Sequence, residues 1–390
     1  MNTPQPSERR GTWLLATLVT VVVLSLHVVI APSSAAARTE SAAVPGACVQ
    51  GTLPHGALSM ICVPASGWNG DLMVWAHGYV AFNEPLGFYH LALGDLSLPT
   101  FAQSLGFAFA TTSYRQNGLA IIEGVDDIVE LIAAFPASSG QAASHIYLIG
   151  ASEGGIVATL FAERKADLIT GALALCGPIG DFTGQIDYVG DFRVLFDYFF
   201  PMVLPGPPTQ IPPELISGWD SVYVPRIRSA LAADPNAAYL LIRTARAAIE
   251  PGSSPSIEST TLGVLWYSVF GTNDAAAKLG GNPYGNVGRW YSGSTNDLLL
   301  NLNVKRVARS PGTLTALAPY QTSGRPGVPL VTLHTTGDPI IPYWHEKLYA
   351  IKSGGSVPEI AVGRYGHCSF TPGEVVGAFG LLQQMIAARP

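Results

Sequence analysis

The segment HIYLIGASEGGIVATLF, residues 145–161, constrains this chain more than any other. Its first part is a short continuous apolar run of the kind that forms a buried strand, and GIVATLFAERKA carries helical periodicity. Only small residues and one glutamate separate them, so the strand must turn directly into the helix. The same rhythm recurs in DLMVWAHG, FAFATTSY, the helical IIEGVDDIVELIAAF, and TGALALCG. It resumes with VPLVTLHTTGD, the helical YWHEKLYAIK, PEIAVGRYGH, and a last helix from about Gly373 to Ala388. Alternating strands and helices bury both faces of a mostly parallel central sheet, which places the chain in the α/β class.

The rhythm breaks for about 145 residues, from Asp181 to Arg325. That stretch is rich in Pro, Gly and aromatics and contains helical patterns such as VPRIRSALAA and YLLIRTARAAIE. A structureless loop of that length does not occur in a compact domain, so the stretch reads as a largely helical cap inserted into the sheet. The expected organisation is a leader over residues 1–37, a core over 38–180 and 326–390, and the cap over 181–325. No fixed-period repeat is present, which sets solenoids aside.

Arg9 and Arg10 precede an apolar stretch from Trp13 to Ala31, and Ala35, Ala36 and Ala37 follow it. This is the pattern of a signal peptide cleaved after Ala37, giving a secreted protein without stable membrane association; the alternative is an uncleaved anchor. The twin arginines leave the choice between the Sec and Tat routes open. Export makes the four cysteines disulfide partners, the alternative being free buried thiols. Of three ways to pair them, Cys48 with Cys62 and Cys176 with Cys368 fits best, because the first pair flanks a hairpin pattern. The second bond would pin the residue after His367 to the sheet. Charged residues make up 12% of the chain, and the formal charge of −6 becomes −7 once the leader, net +1, is removed. No long basic run exists, so neither nucleic acid nor an anionic membrane surface is an expected partner.

Gly150-Ala151-Ser152-Glu153-Gly154 is a GxSxG motif set between strand and helix. A serine on such a strained turn needs small neighbours, and the following helix aims its N-terminal dipole at developing negative charge. A serine hydroxyl is a weak nucleophile until a base takes its proton, so a histidine and an orienting carboxylate must follow. Asp338 lies just past a strand in LVTLHTTGDPIIP, and His367 follows the last strand in RYGHCSF. Asp181 and Asp187 are the substitutes for Asp338. His334 falls within a strand, His345 begins a helix, and His90 and His145 precede the serine, which leaves His367 as the base. VWAHGYV offers a His-Gly turn, His77 and Gly78, whose next amide, on Tyr79, would bind an oxyanion together with the amide of Glu153. The cap aromatics Tyr188, Phe192 and Phe196 are candidate pocket residues. No HExxH, CxxC, EF-hand or P-loop spacing occurs, so neither metal nor cofactor is expected.

Through HGY at 77–79, GASEGG at 150–155, TTGDPIIP at 335–342 and GHC at 366–368, the chain resembles the bacterial secreted α/β-hydrolases of the esterase and lipase type. The resemblance covers about 200 residues of the core and implies the α/β-hydrolase fold and an acyl-enzyme mechanism. GHC is also similar to the tannase and feruloyl esterase pattern, in which cysteines beside the serine and the histidine are bridged. Residue 151 is alanine here, so the pattern is half present and Cys176 is the substitute partner. Three functions follow in order: hydrolysis of moderately apolar or aromatic esters, small or oligomeric; peptide hydrolysis, for which Glu153 or a cap acid would hold the substrate amine; and a non-catalytic binding protein on the same scaffold.

Overall fold

Side chains alternate in direction along each strand, so each face of the sheet has its own partners. The computed structural model describes residues 43–389, and the expected leader, residues 1–37, lies outside the described residues. A hairpin of β1 (Cys48–Thr52) and β2 (Leu58–Cys62) opens the described chain, with Cys48 opposite Cys62 in register and joined to it by a disulfide. There follow β3 (Leu72–Ala76), a small ribbon of β4 (Ala92–Leu93) and β5 (Leu96–Ser97), β6 (Ala108–Thr112), β7 (Ile146–Ala151), β8 (Gly171–Leu175), β9 (Leu330–Gly337) and β10 (Glu359–Tyr365). The main sheet has the order β1-β2-β6-β3-β7-β8-β9-β10. Pairing is antiparallel on both sides of β2 and parallel from β6 to β10.

Met73 and Trp75 on β3 face α1 (Leu98–Ser104) and α12 (Pro372–Ala387), in one apolar cluster with Phe109, Phe379 and Leu382. Leu72 and Val74 point the other way, into a cluster with α2 (Ile121–Ser139), α3 (Glu153–Arg164) and Tyr349 of α11 (Trp344–Lys352). Strands buried on both faces read as unbroken apolar runs, as LMVWA and GALAL do. At the start of α12, Thr371 and Glu374 form a reciprocal capping box, which fixes where the helix begins just past His367.

Between β8 and β9 the described chain is helical: α4 (Phe182–Phe199), α5 (Pro213–Ser217), α6 (Val224–Ala233), α7 (Pro235–Ala245), α8 (Ser254–Lys278), α9 (Asp297–Asn303) and α10 (Thr313–Leu317). This insertion has an apolar centre of its own, with Phe192, Phe196, Leu241 and Leu265 fully buried in it, and Ile340 and Ile341 after β9 join that cluster. A polar network also ties it together. Arg289 pairs with Asp187 and Asp191 of α4, and Arg309 pairs with Asp187 at 2.6 Å. Asp187, a sequence-level substitute for the orienting acid, is thus engaged in holding the insertion together. Asp181, the other substitute, accepts from the Gln321 amide at 3.2 Å.

Candidate active site

The turn between β7 and α3 holds Ser152 at φ 58°, ψ −120°. Only a tightly packed surround sustains such a conformation at a residue with a side chain. The surround here is backbone. A Cβ on Gly150 would sit 2.0 Å from the Gly154 carbonyl oxygen, and one on Gly154 would sit 2.0 Å from that of Ala76. Glycine at these positions lets the elbow wedge against β3, while the Ser152 amide donates to the Leu175 carbonyl at 2.9 Å. Cys176, Cys368 and His90 near the same site also have positive φ, so strain collects around the serine.

Ser152 and Asp338 flank His367. Ser152 Oγ lies 2.9 Å from His367 Nε2, and Asp338 Oδ2 lies 2.7 Å from Nδ1. A carboxylate only accepts, so Nδ1 carries the proton and Nε2 is left to accept from the serine hydroxyl. Asp338 is 1% exposed, and its other oxygen accepts from the amides of Ile340 at 2.8 Å and Ile341 at 3.0 Å. Burial pushes its carboxyl up, but the His367 charge and the hydrogen bonds of His334 and His367 win and hold it at about 2. The turn bearing His367 is secured by the Cys176–Cys368 disulfide, with Cα atoms 5.4 Å apart, and by the Arg364–Glu374 ion pair at the start of α12. Among the described residues, Cys176, His367 and Cys368 have metal-ligand spacing, but their sulfurs are bonded to each other.

Behind Asp338 stands a buried pair that sequence reasoning did not assign. His334 donates from Nε2 to the Ile341 carbonyl at 2.9 Å and from Nδ1 to Glu346 at 3.1 Å, and Nε2 is 3.4 Å from Asp338. Both ring nitrogens face oxygen atoms, an arrangement the imidazolium satisfies with two donated bonds. Burial works against that charge, yet the bonds to Asp338 and Glu346 raise the ring to about 10.

On the other side of Ser152, Gly78 packs closely, since a Cβ there would be 3.2 Å from the serine Cβ and would press on it. His77 is buried and stacks on Tyr114 at 4.0 Å between centroids, donating from Nδ1 to the Gly78 carbonyl at 2.7 Å. Burial lowers its ring to about 4, so it is a neutral brace for the turn. Neither the Tyr79 amide nor the Glu153 amide has a hydrogen-bond partner among the described residues. The Glu153 carboxyl is buried, accepts from the Ala120 amide at 3.0 Å, and is pushed up to about 8 by burial.

Ser152 lies between two cavities, and Tyr79 and Tyr267 line both. One, of about 130 Å³, is walled by Glu153, Phe182, Gln185, Ile186, Val189 and Ile340. The other, of about 240 Å³, is walled by His367, Gly78, His90, Leu93, Leu98 and Phe370. The expected pocket residues Tyr188, Phe192 and Phe196 line neither. Tyr188 donates its hydroxyl to the Pro339 carbonyl at 2.6 Å, and Phe192 and Phe196 are fully buried inside the insertion. Helical phase explains the correction: Phe182, Gln185, Ile186 and Val189 of α4 face the cavity, and the aromatics at 188, 192 and 196 share a stripe turned to the insertion's own centre. Tyr267 on α8 and His90 escaped sequence reasoning because only the tertiary fold brings them to the serine.

Leaving out the ribbon, the strand order is 1-2-4-3-5-6-7-8, with the Ser152 turn after the fifth strand, Asp338 after the seventh and His367 after the eighth. This is the α/β-hydrolase fold. No family model matches the chain, nor does any curated protein sequence. Among solved structures, a Pyrococcus furiosus esterase is similar at 12% identity and a TM-score of 0.45, over 88% of this chain and 91% of that one. Candida antarctica lipase A in its closed state is similar at 14% and 0.45, over 87% and 76%. An acylaminoacyl peptidase is similar at 13% and 0.45 over 90% of this chain, which spans 42% of the peptidase's length.

Proposed function

We propose that this protein is a serine hydrolase of carboxylic esters working through an acyl-enzyme. The observation that carries the reading is the unbroken line from Asp338 through His367 to Ser152 at 2.7 and 2.9 Å, with the serine on a strained strand-to-helix turn. In this reading Ser152 Oγ attacks the acyl carbon as His367 Nε2 takes its proton, and Asp338 stabilises the imidazolium. The unpaired amides of Tyr79 and Glu153 receive the oxyanion. Nε2 then protonates the departing alcohol, and water, deprotonated by the same nitrogen, releases the acid.

The leaving oxygen must stand where Nε2 can reach it, and of the two cavities only the one of about 240 Å³ is walled by His367. The alcohol portion therefore takes that side and the acyl portion the cavity beside Glu153, whose apolar walls suit moderately apolar or aromatic acyl groups. The helices over residues 181–325 act as its cap. Peptide hydrolysis is the weaker reading, because the carboxyl of Glu153, the residue that would hold a substrate amine, is buried against the Ala120 amide and pushed up to about 8, which disfavours a standing charge there. Two disulfides and the leader pattern support action outside the cytoplasm. The test compares the protein with Ser152→Ala on p-nitrophenyl acyl esters and on alanine and proline p-nitroanilides. Ester turnover should fall by about 10⁴-fold or more in the variant. Ester turnover that survives it, or preferred anilide cleavage, would overturn the ester reading.

A further inference from the structure

The geometry points to an alcohol portion with a long apolar chain, which runs from His367 into a groove between the β4–β5 ribbon, α1 and α12. This inference rests on the ester hydrolase reading and specifies its substrate. The cavity of about 240 Å³ beside His367 and a groove of about 80 Å³ share Trp75, Leu93, Leu98 and Val375 as walls, so the two adjoin, and a chain leaving the first has the second directly before it. Polar groups stand at its inner end, where Ser152, His367 and His90 are. Every residue lining the groove beyond is apolar, including Leu96 and Phe101. Leu105 and Val376, 47% and 44% exposed, mark where the path meets solvent.

The ribbon makes the roof. Its strands pair Leu93 with Leu96 across a turn at Gly94, whose φ of 60° suits glycine, and both leucines line the groove. Two apolar side chains on so short a ribbon, over a groove without a charged side chain, suit a hydrocarbon occupant. Proton transfer fixes which half of the ester enters. The departing oxygen needs His367 Nε2, so the chain attached to that oxygen leads away through the cavity that His367 lines, and the acyl chain does not. A buried methylene improves binding by up to about fourfold, so a chain filling the groove separates long from short alcohols clearly.

The test measures kcat/KM for methyl, butyl, octyl and dodecyl hexanoate by acid release, with methyl acetate to methyl octanoate as the acyl series. The protein should prefer octyl to methyl hexanoate by about tenfold or more, given the worth of each buried methylene. In Leu98→Trp, which narrows the neck shared by cavity and groove, that ratio should fall to within about twofold, while the slope of the acyl series stays as it was. Because Leu98 begins α1, Val376→Trp at the open end is the second variant, and it should lower the dodecyl-to-octyl ratio. A flat alcohol series, or a Leu98→Trp effect on the acyl series in place of the alcohol series, would overturn the channel while Ser152-dependent ester turnover stands. Loss of Ser152-dependent turnover for every ester would remove both readings.

Discussion

The two flanks of Ser152 each bury a carboxyl group, with opposite results. On the histidine flank, Asp338 receives two backbone amides, His367 and His334, and remains charged with its carboxyl at about 2. On the cavity flank, Glu153 has one backbone donor, borders apolar walls, and is pushed up to about 8. Burial sets no charge state by itself; the number and sign of the partners do. The site thereby has a charged side at Asp338 and a neutral side at Glu153, the sides to which the proposed function assigns proton transfer and the acyl group. Glu153 supplies its backbone amide to the proposed oxyanion site without adding a negative charge beside it.

The sharpest way to break this contrast is Asp338→Asn. The amide can donate to His367 Nδ1, which moves the ring proton to Nε2 and leaves nothing to accept from Ser152. Ester kcat should fall by about 10⁴-fold while the fold persists. A loss under about tenfold would mean that Asp338 does not orient the base.

Glu153→Gln probes the other flank through pH. The folded protein keeps a proton on Glu153 between the usual 4.5 and about 8, whereas the unfolded chain has released it. Folding stability from this group therefore falls as pH rises through that window, at up to about 1.4 kcal/mol per pH unit. His334, raised to about 10, adds a slope of the same sign above pH 6.5 in both proteins, so the difference between them isolates Glu153. Thermal unfolding from pH 5 to 8 should show a shallower decline in Glu153→Gln. Parallel curves would place an ionised carboxylate at Glu153.

How much of this was legible in the sequence depended on how local the signal was. Ser152, Asp338 and His367 each sit at the end of an apolar strand run, and their order along the chain fits one fold, so periodicity and turn chemistry located them. The Cys48–Cys62 bond was legible because a hairpin register sets its partners face to face. The pocket residues were not. Tyr188, Phe192 and Phe196 form an apolar stripe, but a stripe shows only that a helix has a buried face, and here the insertion's own centre claims it. His334 with Glu346, Tyr267 with Ser152, and the path past Leu93 and Leu98 join residues from separate elements. No spacing along the chain reports those meetings.

The central claim is that Ser152 is the activated nucleophile, and covalent trapping tests it most directly. A fluorophosphonate probe incubated with the folded protein should add one phosphonyl group to the peptide bearing Ser152, with ester turnover lost in proportion to the label. Labelling at another residue, or full inactivation of ester turnover with Ser152 unmodified, would contradict the account.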